Sequence, residues 1–137
     1  MEKYRIIDDL TSDVMFEAYG RNLAEVFQNA AEAMFSVICR MEVVATKRAI
    51  EVEVSAENAG DLMINWLQEL IALVDTEGMF FSKFDVIEIG EQRLRARVYG
   101  ETVSPAKGET VVKAVTYYKF AFEKTQEGFM TRVSLDI

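Results

Sequence analysis

Two stretches of the chain carry apolar residues at helical spacing. Beyond Gly20, the positions Leu23, Val26, Phe27, Ala30, Ala31, Met34, Phe35 and Ile38 recur in steps of three and one, which lines one buried face of a helix. Asn22, with Glu25 three residues later, supplies the capping signal that starts it. A second stripe runs through Leu62, Met63, Trp66, Leu67, Leu70, Ile71 and Val74 and stops before Gly78, a residue suited to ending a helix. Elsewhere the period falls to two. Ile50, Val52 and Val54 alternate with Glu51, Glu53 and Ser55, and Leu94, Ala96 and Val98 alternate with Arg93, Arg95 and Arg97, so each segment predicts a strand with one apolar and one charged face. Phe80 to Ile89 and Arg93 to Tyr99 flank Gly90-Glu91-Gln92 as a hairpin. Val111 to Glu123 should form another with Thr131 to Ile137, and Tyr4 to Ile7 and Val14 to Tyr19 predict two short strands near the N-terminus. Two amphipathic helices packed on about seven mostly antiparallel strands predict an α+β layered fold, with residues 1–137 forming a single domain.

Composition agrees and narrows the chemistry. The chain has 137 residues, 50% of them hydrophobic and 28% charged, a globular balance with length enough for a core. The only proline, Pro105, marks the one long loop, and no linker or repeat interrupts the chain. Cys39 is the only cysteine, so no internal disulfide can form, and there is no histidine. Ser-His-Asp and Cys-His hydrolases, histidine-ligated zinc enzymes and zinc fingers are thereby excluded. With 15 Lys and Arg against 23 Asp and Glu, the net charge is −8. That balance disfavours direct binding to nucleic acid, which rests on neutralising phosphates, and any RNA would enter through a partner. No apolar run reaches the ~20 residues of a membrane span, and the charged start Met1-Glu2-Lys3-Tyr4 is unlike a signal peptide, so a cytoplasmic protein is expected.

Most residues that invite a functional reading also have a plain one. Tyr118, Phe120 and Phe122 share a face at strand spacing and are read as cross-strand packing. The arginine row 93, 95 and 97 is read as a solvated sheet face, and Cys39 as a structural thiol. The carboxylates are more suggestive. Asp13 lies in Thr11-Ser12-Asp13 between two predicted strands, and Asp136 is penultimate, facing outward opposite Val133, Leu135 and Ile137. Brought together beside a C-terminal carboxylate, they would offer hard oxygen ligands for Ca²⁺ or Mg²⁺. Lys113, next to Val112 and Ala114, reads from its position as an exposed strand lysine.

The same residues carry a family resemblance. Asp9-Leu10-Thr11-Ser12-Asp13, followed by Glu17-Ala18-Tyr19-Gly20 and the helix through Phe27, resembles the opening of the archease family, roughly Asp-His-Thr-Ala-Asp, then strand, glycine and helix. Asp61 to Leu70 is similar to the family's leucine-tryptophan helix, Val112-Lys113-Ala114-Val115-Thr116-Tyr117 to its most distinctive strand, and Leu135-Asp136-Ile137 to its usual ending. The resemblance implies a non-catalytic accessory protein of the RtcB-type RNA ligase, which seals RNA ends during tRNA splicing and RNA repair. It further implies promotion of ligase guanylylation and multiple turnover. Carried onto this chain, the family's divalent-metal site falls on Asp13 and Asp136 with the Ile137 terminus as a further ligand, and its activating lysine is Lys113. Calcium is the expected cation, with magnesium and manganese as alternatives. Where the family usually has histidine, this chain has Leu10 and Tyr118. The competing readings are a small metal-dependent hydrolase using Asp13 and Asp136, and a general chaperone or adaptor.

Overall fold

A computed structural model describes residues 1–8 and 13–137. In chain order these form β1 (Tyr4–Asp8), β2 (Val14–Gly20), α1 (Leu23–Ile38), β3 (Arg48–Ser55), α2 (Ala59–Glu77), β4 (Met79–Ile89), β5 (Arg93–Thr102), β6 (Ala114–Lys124) and β7 (Phe129–Asp136). Short 3₁₀ turns span Met41–Val43 and Pro105–Lys107. The strands make two antiparallel sheets, one ordered β1-β2-β7-β6 and the other β3-β5-β4. Each helix touches both sheets, so the core lies where helices and sheets meet.

Helix α1 starts where the sequence predicts and for the predicted reason, and α2, for which the sequence reading gave no start, begins at Ala59 behind a cap of the same kind. Asn22 accepts the Glu25 amide at 2.9 Å and Asn58 accepts the Asp61 amide at 2.8 Å, each satisfying one of the amides that a helix start leaves unpaired. Gly78 ends α2 with φ +60, a left-handed conformation that side chains with a Cβ resist. The apolar stripes are buried as predicted: Phe27, Met34 and Phe35 on α1 and Leu62, Met63, Trp66, Leu67 and Leu70 on α2 have no exposed surface. The Trp66 indole N–H donates to the Phe27 carbonyl at 3.0 Å, fixing α2 against α1. Phe35 meets Phe81 and Phe84 of β4, and Phe27 meets Phe122 of β6, so α1 joins the two sheets through its aromatic residues.

The charged face of the smaller sheet is solvated, as expected. Arg93 pairs with Glu53, Arg95 with Glu88 and Arg97 with Glu51, at 3.2, 2.7 and 2.6 Å, so each arginine of the row meets a carboxylate on a neighbouring strand.

The last hairpin departs from expectation. Residues 111–113 precede β6 rather than belonging to it, and β7 ends at Asp136. More consequentially, Thr116 pairs with Ser134 and Ala121 with Arg132, so three extra residues bulge from β6. Alternation therefore fails across Tyr118, Phe120 and Phe122, which do not form one continuous face. Tyr117 instead packs edge-on against Phe120, at 5.7 Å between ring centroids, and donates its hydroxyl to Asp61. Lys119 takes φ +52 at the bulge, which is held by Ser134 Oγ donating to the Tyr118 carbonyl and Arg132 Nε donating to the Lys119 carbonyl.

Candidate functional site

The residues singled out from the sequence gather at one end of the four-stranded sheet because of its register. In the β2–β7 pairing Val14 stands opposite Leu135, so one step outward along both strands are Asp13 and Asp136. On the other side of β7, Ala114 of β6 stands opposite Asp136. The Lys113 amide donates to the Asp136 carbonyl at 2.7 Å, which places the lysine beside the end of the terminal strand. Residues 123 positions or more apart in sequence, Asp13 and Asp136–Ile137, are thereby neighbours across one strand pair.

Local structure explains why Lys113 presents its side chain outward. Val112 is buried on one flank, and two residues beyond Lys113 the Val115 amide donates to Gln68 Oε1 of α2 at 3.1 Å, so the chain is fixed on both sides. Lys113 itself is exposed, as is Asp136, while Asp13 is half-buried and Ile137 is 38% exposed. The expectation that Lys113 stands within a strand is corrected: it immediately precedes β6. The two carboxylates offer only oxygen donors, a set that suits a hard divalent cation and would hold zinc or copper poorly. Among the described residues no three Asp, Glu, Cys or His side chains form a group that would hold a metal by themselves. The motif residues Asp9, Leu10, Thr11 and Ser12 lie outside the described residues.

Other candidates resolve into structure. Cys39 is 1% exposed and caps α1, and burial, with the negative charges of Glu42 and Glu109, pushes its thiol up to about 12. It is not a thiolate nucleophile. Sequence reasoning missed Glu101, which is buried on β5 yet ionised. Its carboxylate accepts Lys107 Nζ at 2.7 Å and the Ala45 amide at 2.6 Å, with Lys47 at 3.6 Å, and these hold its pKa down to about 2. The signal was available in a glutamate at an apolar position, Glu101, followed six residues on by Lys107 in the only proline-bearing loop.

The sequence model of the Archease protein family (MTH1598/TM1083) matches residues 4–137. The chain belongs to the archease family. Its relatives include protein archease of Methanosarcina acetivorans, 39% identical over 142 residues that cover 99% of this chain and 97% of that one. Protein archease of Pyrococcus abyssi is also 39% identical, over 93% of this chain and 94% of the relative. The solution structure of Methanobacterium thermoautotrophicum protein 1598 superposes with a TM-score of 0.85 at 32% identity, covering all of both chains. The crystal structure of a Thermotoga maritima archease, described there as a possible chaperone, superposes with a TM-score of 0.69 at 21% identity over 97% of each chain, and so shares the fold. The archease fold thus accounts for both sheets and both helices. Among the described residues no helix is long and apolar enough to cross a membrane.

Proposed function

We propose that this chain is a cytoplasmic, non-catalytic activator of an RtcB-type RNA ligase, acting in tRNA splicing and RNA repair by promoting ligase guanylylation and multiple turnover. The observation that carries the reading is the meeting of Asp13, Asp136 and Lys113 at one sheet end, in a chain of the archease family. Asp13 and Asp136, with Ile137 as a further ligand, are the proposed holders of a divalent cation, calcium in the first instance. When bound, that cation supplies positive charge close to the partner's nucleotide phosphates. Lys113 adds a compact ammonium on an exposed, firmly anchored stretch of backbone, suited to contact a phosphate as a point charge. RNA reaches the complex through the ligase, in keeping with a net charge of −8.

An accessory role fits better than hydrolysis. The chain has no histidine, and its one thiol is buried and protonated, so nothing beyond carboxylates and lysine would serve as base or nucleophile. The test is to mix the purified chain with the RNA ligase from the same source and follow ligase–guanylate formation. Direct binding with a faster guanylylation rate is expected. Phosphoester hydrolysis by the chain alone with Mg²⁺ or Mn²⁺, and no effect on the ligase, would replace the proposal with the metal-dependent hydrolase.

A further inference from the structure

Behind the loop that leads into Lys113 lies a cavity of about 320 Å³, walled by Ile38 at the end of α1, Ile71 and Val74 of α2, and Phe80 of β4. Its rim is different in character. Asp75 and Glu109 line the opening, and among the described residues neither carboxylate has an ion-pair partner. Val111, also on the rim, is 79% exposed, more than any other large apolar side chain among the described residues. An apolar floor, an exposed apolar lip and unneutralised carboxylates together favour an occupant that is apolar at its tip and cationic at its base.

The cavity is held open by the fold. The Glu109 and Thr110 amides donate to the Ile38 and Val37 carbonyls at 2.9 and 3.1 Å, so this loop satisfies carbonyls at the α1 C-terminus. Gly108 bridges to Cys39, and Lys107 is tied to the ionised Glu101. A binder would therefore meet a preformed surface, with little ordering cost on this side. The cavity lining ends at Val112, one residue before Lys113, so the cavity lies close along the chain to the end of the sheet that carries Asp13 and Asp136 without including it.

We infer that this cavity is an anchor for the partner protein, taking an apolar side chain that is adjacent in the partner to a lysine or arginine. The inference rests on the activator reading and adds to it a contact surface separate from the carboxylate end. In it, Val111 and the cavity walls bury the apolar side chain, and Asp75 and Glu109 receive the basic neighbour.

The experiment measures affinity of the intact chain for the intact ligase, at low and moderate salt, alongside the guanylylation rate at saturating chain. Val111→Ala should weaken binding roughly tenfold through lost apolar burial. Asp75→Asn and Glu109→Gln should each weaken it roughly two- to fivefold and flatten its salt dependence, as rim charges do. The guanylylation rate at saturation should stay at the wild-type level for all three, because none lies at the carboxylate end. Glu91→Gln, in the β4–β5 turn, controls for net charge and should bind as wild type does. Wild-type binding and stimulation with all three variants within twofold of wild type would overturn the anchor and leave the activator reading intact. Equal weakening by Glu91→Gln would reduce the rim effect to overall charge and overturn the anchor as well. A wild-type chain that neither binds nor stimulates the ligase would remove both.

Discussion

Replacing Trp66 tests the packing on which the site depends. Trp66 has no exposed surface and donates its indole N–H to the Phe27 carbonyl at 3.0 Å, so it ties α2 to α1 and, through Phe27 and Phe122, to the sheet that carries the candidate site. Truncating a buried tryptophan to alanine costs about 3–5 kcal/mol from lost transfer energy and the cavity left behind. A chain of this length has about 7–20 kcal/mol of stability in all, so Trp66→Ala should still fold but lose a large share of its reserve. With a urea dependence of about 1.5 kcal/mol per molar, the midpoint should fall by roughly 2–3 M. Trp66→Phe keeps most of the ring and should lose less, near the ~0.5–1.5 kcal/mol of a neutral hydrogen bond plus a small cavity term. Because Trp66 is the only tryptophan, unfolding is followed by circular dichroism at constant protein concentration. A loss below about 1 kcal/mol for Trp66→Ala, with unchanged urea dependence, would refute the reasoning, since it would mean the α2 stripe is not buried as described.

Three other expectations follow from particular residues. Glu101 has its folded pKa lowered from 4.5 to about 2, so its contribution to stability is fully present above the unfolded value and is lost as pH falls through the folded one; Glu101→Gln should flatten the stability curve between pH 4.5 and 2, read by denaturant titration across that range. Gly128 sits at φ +148, and a Cβ there would lie 2.1 Å from the Gly20 carbonyl oxygen, so Gly128→Ala should cost more than about 1 kcal/mol. Gly90→Ala, whose Cβ would meet nothing within 4 Å, should change the melting temperature little, and scanning calorimetry of both variants beside the wild type checks the contrast. Calcium at a hundred times its dissociation constant should raise stability by ~2.7 kcal/mol, and Asp13→Asn with Asp136→Asn should abolish that shift in thermal melts.

The helices were legible because their information is local. The α1 and α2 stripes, the Asn22 cap and the Gly78 stop all act within a turn or two of chain, and each is found where periodicity places it. The β4–β5 hairpin was legible for the same reason. The order β1-β2-β7-β6 was less so, because β2 pairs with a strand more than 100 residues away and no short spacing encodes that choice. The β6 bulge was hidden because period-two reasoning assumes an unbroken ladder. Its trace was in β7, where Thr131 and Ser134 are buried among apolar neighbours and their hydroxyls need acceptors, which the Ala121 and Tyr118 carbonyls provide. For the candidate site, residue types and the family resemblance identified Asp13, Asp136, Ile137 and Lys113, whereas spacing alone left the two aspartates unconnected. The cavity was illegible because its walls come from α1, α2, β4 and a loop whose hydrophobic residues, taken singly, look like ordinary core.

The activator reading is tested most directly at Lys113, where stability and function should part. Lys113 is exposed and makes its backbone hydrogen bond through an amide that alanine retains, so Lys113→Ala should shift the denaturant midpoint by no more than about 0.5 kcal/mol in free energy. The initial rate of ligase–guanylate formation, measured with saturating wild type or variant, should nevertheless drop sharply, because alanine offers no charge to a phosphate. Full stimulation by a stable Lys113→Ala chain would contradict the account.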